Sequence, residues 1–173
     1  MQRFGPDPAK APAYRTGSLM LLVAVAVILA ALAFEYVGGY APCPLCLQQR
    51  YAYYAGIPAL FLALVLLAAG RPKPAAVVLL MVALAFVANA GLGAYHAGVE
   101  WKLWPGPDTC SAATQPLGGG GGGLLKQLET TRVIRCDEPP WQLFGVSLAG
   151  MNAVASLALA AGSLSAAFKA LRA

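Results

Sequence analysis

Two of the four cysteines stand three residues apart, in Cys43-Pro44-Leu45-Cys46, and the other two stand far apart, at Cys110 and Cys136. A disulfide that closes so small a ring removes little chain entropy, so as a staple Cys43–Cys46 would be nearly idle. Its common use is thiol–disulfide exchange, with one thiolate near a helix N-terminus whose dipole lowers its pKa. Cys46 is expected in the first turn of a helix, and Arg50 lies four residues on, one turn up the same face. The guanidinium would favour a thiolate or hold the oxygen of a bound acceptor, although alone it would read as a snorkelling anchor at the lipid–water boundary. His96, the single histidine of the chain, is open to two readings. It would donate a proton or hydrogen bond to a reducible carbonyl, or merely sit at an interface.

Four cysteines allow three full pairings. Neighbours close fastest, so the first bond expected is Cys43–Cys46, which leaves Cys110–Cys136 as the second. On chain-entropy grounds that crosslink would stabilise its loop by about 3–4 kcal/mol, so it is also open to a purely structural reading. A four-cysteine zinc site fits poorly, because Cys110 and Cys136 do not form a second CxxC knuckle. With that site set aside no metal is expected, and no phosphate loop, Ser/His/Asp set or GxGxxG stands on a suitable scaffold.

The elements that must hold these groups are unusual in composition. Of 173 residues 59% are hydrophobic and only 11% charged, and the mean hydropathy is +0.65. A soluble domain carries about 25% charged residues, so most of this surface must face lipid. Four stretches, about 18–36, 51–69, 75–95 and 143–168, are long and apolar enough to cross a bilayer, which takes roughly 20 residues of helix. They lack the alternating polarity of barrel staves. The expected fold is an all-α membrane protein, a single domain formed by a four-transmembrane-helix bundle with two non-cytoplasmic loops that carry the cysteine pairs.

Charge placement orients that bundle and argues against a nucleic-acid partner. Both tails and the 70–74 turn carry Arg3, Lys10, Arg15, Arg71, Lys73, Lys169 and Arg172 against the lone acid Asp7. The 37–50 and 96–142 loops carry Arg50, Lys102, Lys126, Arg132 and Arg135, offset by Glu100, Asp108, Glu129, Asp137 and Glu138. The positive-inside rule then makes both termini cytoplasmic. All four cysteines fall at or beyond the opposite face, where disulfides persist in a bacterial inner membrane. The first apolar run exceeds a signal-peptide core and lacks a clean small-x-small site, so it is expected to be a retained span.

The outer 96–142 loop is the place for extramembrane function. Trp101, Trp104 and Trp141 stand at its ends as interfacial anchors. Gly118–Gly123 is a run of six glycines, natural or engineered, and Leu124, Leu125 and Leu128 form an amphipathic turn suited to a membrane surface. Asn89 and Asn152, both within spans, are expected to hydrogen-bond between helices.

The run Tyr40-Ala-Pro-Cys43-Pro-Leu-Cys46-Leu-Gln-Gln-Arg50 after a first span is followed by Tyr95-His96-Ala-Gly, a Cys110 loop and Cys136-Asp-Glu-Pro-Pro-Trp141-Gln-Leu-Phe-Gly145. Over about residues 17–168 this order resembles the bacterial disulfide bond formation protein B (DsbB) family. The resemblance implies a four-span thiol oxidase that reoxidises a soluble, periplasmic, DsbA-like partner of the thioredoxin fold and passes the electrons to ubiquinone or menaquinone. It further implies that Cys110 is attacked by the reduced partner, that the released Cys136 attacks Cys43, and that Cys46 is left as a thiolate facing the quinone. Arg50 and His96 would then lie at the quinone. Gln49 departs from the family, which often has an acid there, and the glycine run lengthens the reactive loop. A relay of this kind needs a strong terminal acceptor, since a DsbA-type oxidase sits near −120 mV and each 30 mV is worth about 1.4 kcal/mol.

Two other readings compete. A vitamin K epoxide reductase-like protein also combines four helices with a CxxC and a loop pair, but there the loop cysteines precede the CxxC. A non-enzymatic membrane scaffold with structural disulfides would be indifferent to loss of Cys46.

Overall fold

The computed structural model describes residues 11–107, 136–137, 141–143 and 145–172. Cys110, the glycine run, Arg132 and Arg135 lie outside them. The described chain forms α1 (Pro12–Tyr36), α2 (Pro44–Ala68), α3 (Pro72–Glu100), a two-residue antiparallel ribbon of β1 (Gln142–Leu143) with β2 (Val146–Ser147), and α4 (Leu148–Leu171). All four helices have the length and hydropathy to cross a membrane.

The first three helices outrun the apolar stretches, and the excess comes from their ends. The first three each begin with proline in the opening turn, where its missing N–H is not needed and its fixed φ suits the helix. α2 therefore starts at Pro44, ahead of the apolar stretch, with Cys43 as its N-cap and Cys46 in its first turn. α3 continues through His96 to Glu100 before a Schellman turn ends it. There Lys102 adopts φ 59°, while Lys102 N–H and Leu103 N–H donate to the carbonyls of Val99 and Gly98 at 3.0 and 2.9 Å. α4 starts at Leu148, five residues later than the apolar run suggests, because the ribbon takes up its first residues. The Ser147 hydroxyl then caps it by accepting Gly150 N–H at 3.2 Å.

Packing follows a closed ring, α1 on α2, α2 on α3, α3 on α4 and α4 back on α1, with α3 against α4 the most extensive seam. Lys169 Nζ donates to Thr16 Oγ1 at 2.9 Å, which joins the start of α1 to the end of α4. Small residues let the α3–α4 seam close. A Cβ built on Gly93 would meet the Ala153 backbone at 3.1 Å, a contact that glycine avoids. Leu22, Phe61, Met81 and Leu157, one from each helix, are all more than half exposed, as lipid-facing residues should be. The interior holds both an apolar core around Leu60, Leu79, Phe86 and Leu159 and the buried polar residues Gln49, Asn89, His96, Ser147, Ser156 and Ser163.

Candidate functional site

The site is built on the N-terminus of α2. Cys43, in extended conformation, caps the helix, and its sulfur accepts the Cys46 N–H at 3.3 Å. Cys46 occupies the first turn, so the two sulfurs converge to 3.0 Å. Both are free thiols, so the structure holds this pair in its reduced form. α3 brings His96 across, with Nε2 3.6 Å from Cys43 Sγ. Cys136 packs onto the same cluster with Cys43, Leu45 and Val99. Cys43 Sγ, a His96 ring nitrogen and Cys136 Sγ all lie within 4.8 Å of one another.

These contacts decide where charge resides. The hydrogen bond from the Cys46 thiol holds the Cys43 pKa down to about 4; burial opposes this, and His96 and the Cys46 N–H add to it. The charged sulfur of the reduced pair is therefore Cys43, the cap, whereas the helix-dipole argument from the sequence had favoured Cys46. The cap sulfur accepts the Cys46 N–H directly and has His96 on its other side. Cys136 is disulfide-bonded, which sets a disulfide sulfur beside a favoured thiolate. That is the geometry of exchange, and a sulfur so bonded is no thiolate ligand for zinc. The expected Cys110 end of that bond lies outside the described residues.

A cavity of about 520 Å³ opens on this cluster. Val27, Ile28, Ala31 and Phe34 of α1 and Leu148 and Met151 of α4 give it apolar walls, while Cys46, Gln49, Arg50 and His96 supply polar groups at one end. An apolar slot with a few convergent polar groups suits a small planar ligand with one polar edge. Arg50 reaches the cavity from the second turn of α2, but its guanidinium donates to the Glu35 carboxylate at the end of α1 and to the Ala31 carbonyl at 3.4 Å. With its side chain only 11% exposed, Arg50 does not snorkel to water; it is an ion-paired wall of the cavity.

Three residues were undervalued by the sequence reading. Glu35 lies at the end of the first apolar stretch, and an ionisable residue at a span's edge is a functional hypothesis by default. Glu100 was counted among the outer acids. Its side chain is 4% exposed, Oε1 lies 3.9 Å from His96 Nε2, and Oε2 has no hydrogen-bond partner among the described residues. Trp141 is more than an interfacial anchor, since it packs on Phe34 with ring centroids 5.2 Å apart and lines the cavity. Trp104 is an exposed ring stacked on Tyr95 at 5.9 Å, with Nε1 donating to the Tyr95 carbonyl at 2.9 Å. Asn89 binds across helices as expected, donating to Ser156 Oγ at 2.9 Å.

Comparison with known proteins agrees with this geometry. A family model described as disulfide bond formation protein DsbB matches residues 15–166. The uncharacterized protein RP370 of Rickettsia prowazekii (strain Madrid E) is 24% identical over 143 residues, which cover 81% of this chain and 80% of that protein. No solved structure matches the chain. With four membrane-length helices around a CxxC thiol pair, and a family match that spans nearly all of them, the chain belongs to the DsbB family of membrane thiol oxidases that form disulfide bonds.

Proposed function

We propose that this protein reoxidises a DsbA-like, thioredoxin-fold dithiol in the periplasm and delivers the electrons to a membrane quinone, ubiquinone or menaquinone, from an inner-membrane bundle with both termini cytoplasmic. The observation that carries this reading is the convergence of Cys43, Cys46, His96 and the disulfide sulfur of Cys136 on one apolar cavity. In the exchange steps the partner's thiolate attacks Cys110 of a Cys110–Cys136 bond and expels Cys136 as thiolate. Cys136 then attacks Cys43 of a Cys43–Cys46 bond and expels Cys46. The partner's second thiol resolves the mixed disulfide at Cys110 and leaves as the oxidised partner, so its two electrons now reside in this chain. Cys43 is the better leaving thiolate of its pair, which favours its release when Cys110 attacks Cys136 and remakes the Cys110–Cys136 bond.

The cavity residues fit a quinone ring. Arg50 would hold a ring oxygen while Glu35 fixes the guanidinium, His96 and Cys46 would flank the ring, and Phe34 and Trp141 would exclude water. When bound, the quinone supplies a two-electron, two-proton acceptor, which matches the two thiols that become one disulfide. The apolar α1 and α4 walls suit a ligand that arrives from lipid.

The test is anaerobic. Purified protein, ubiquinone-1 and a reduced thioredoxin-fold dithiol are mixed, and quinone absorbance is followed. Reduction that depends on all three components, and vanishes in Cys46→Ser, is the expected result. Protein that oxidises the dithiol equally well with no quinone present would overturn the assignment of the acceptor.

A further inference from the structure

Behind His96 runs a chain of buried and part-buried hydrogen bonds that the thiol relay does not use. Tyr53 Oη donates to Asn152 Oδ1 at 2.7 Å, Asn152 Nδ2 donates to Gln49 Oε1 at 2.5 Å, and Gln49 Nε2 lies 2.9 Å from His96 Nδ1. Its direction is not a free choice. The same Gln49 nitrogen lies 3.3 Å from the Leu45 carbonyl, which can only accept, so the atom facing both Leu45 and His96 must be the amide NH2. His96 Nδ1 must then accept.

A neutral imidazole that accepts at Nδ1 carries its proton on Nε2. The groups facing the ring are all acceptors: Cys43 Sγ at 3.6 Å, Glu100 Oε1 at 3.9 Å and the Cys136 backbone. Of the two measured acceptors, only the sulfur lies within hydrogen-bond reach of Nε2, because sulfur bonds are longer. Protonating Nδ1 as well would set its N–H against the Gln49 amide hydrogens. Turning Gln49 over to relieve this would set Oε1 against the Leu45 carbonyl. The arrangement resists charging of the ring even with Glu100 and the Cys43 sulfur beside it, and Arg50 is turned away to Glu35.

We infer that Gln49, with Asn152 and Tyr53 behind it, is a positioning device that holds His96 as the neutral Nε2–H tautomer and aims a constant hydrogen-bond donor at the Cys43 sulfur. These three are positioning residues; only His96 touches the reacting atom. The device deepens the thiol-oxidase reading, since a donor that does not titrate keeps Cys43 a good leaving thiolate at any working pH.

His96 is the single histidine, so its ring can be observed without ambiguity. The tag-free full chain, labelled with 15N-histidine, reduced and quinone-free in nanodiscs, is followed by nitrogen NMR from about pH 5 to 8. Expected are a bare Nδ1 and a protonated Nε2 throughout. In Gln49→Glu a carboxylate replaces the amide donor, and both nitrogens should be protonated at neutral pH. Tyr53→Phe and Asn152→Ala should let the ring take up a second proton within that pH range. An imidazolium in the parent protein at neutral pH, a proton on Nδ1 alone, or ring signals unmoved by Gln49→Glu would each overturn the inference. If Glu100→Gln removed an imidazolium seen in the parent, Glu100 and not Gln49 would set the ring's state, which also overturns it. Neither quinone nor partner enters this measurement, so its failure is separate from failure of the quinone assay.

Discussion

Replacing Cys46 by alanine tests whether the cap sulfur owes its charge to its neighbour. The Cys46 thiol, 3.0 Å from Cys43 Sγ, is the largest cause of the lowered Cys43 pKa. A hydrogen bond to a charged group is worth about 1.5–3 kcal/mol, and each pKa unit corresponds to about 1.36 kcal/mol. Cys46→Ala should therefore move the Cys43 midpoint from about 4 up by roughly one to two units. Because the pKa is lowered, the thiolate is present above the midpoint and lost as pH falls through it. At pH 5 the thiolate fraction would drop from roughly nine-tenths to between a half and a tenth. Cys46→Ser keeps a donor at the same position and should stay much closer to the parent. The assay is a brief pulse of a small alkylating agent across a pH series on reduced, quinone-free protein, with the Cys43 peptide quantified by mass spectrometry. A parent midpoint near the ordinary thiol value of about 8.5, or identical shifts in the alanine and serine variants, would refute the reasoning.

Arg50→Ala should slow quinone reduction at least tenfold while thiol exchange with the partner changes little, and Arg50→Lys should recover part of the loss, since charge survives without the planar fork. Stopped-flow measurement of the two half-reactions checks this, and equal damage to both would make Arg50 only a strut for Glu35. Cys136→Ser should accumulate a mixed disulfide between the soluble partner and Cys110, because the thiol expected to be expelled is gone; peptide mapping that found the bond at Cys43 or Cys46 would reverse the direction of the relay. Gly93→Val should cost about 1–3 kcal/mol of stability by overpacking the α3–α4 seam, where a bare Cβ already comes within 3.1 Å of Ala153. Unfolding in mixed micelles gives that number, and a neutral result would mean the seam is looser than described.

Helix number, helix type and the lipid-facing surface were legible in the sequence because they depend on quantities local to the chain. Twenty consecutive apolar residues have few alternatives to a helix in a bilayer, and an opening proline or a capping serine acts within one turn of itself. The pair Cys43 and Cys46 and the turn-on placement of Arg50 were legible for the same reason, since helical spacing carries i to i+3 and i+4 onto one face. Local signals misjudged the ends. The start of α4 moved by several residues because a short ribbon and a serine cap, not hydropathy, set it.

The tertiary structure alone decided which groups meet. The Gln49–His96 bond joins residues 47 apart and the Asn152–Gln49 bond residues 103 apart. Whether such side chains touch depends on how each helix is turned about its axis, which the packing of its neighbours sets. That rotation turned Glu100 inward to His96, paired Glu35 with Arg50 and stood Trp141 against Phe34. It also set Cys46 Sγ and His96 Nε2 on either side of the Cys43 sulfur, so that the cap and not the first-turn cysteine takes the charge. The spacing of the cysteines prescribes exchange chemistry, but the direction in which hydrogens point at each sulfur exists only once the bundle has closed.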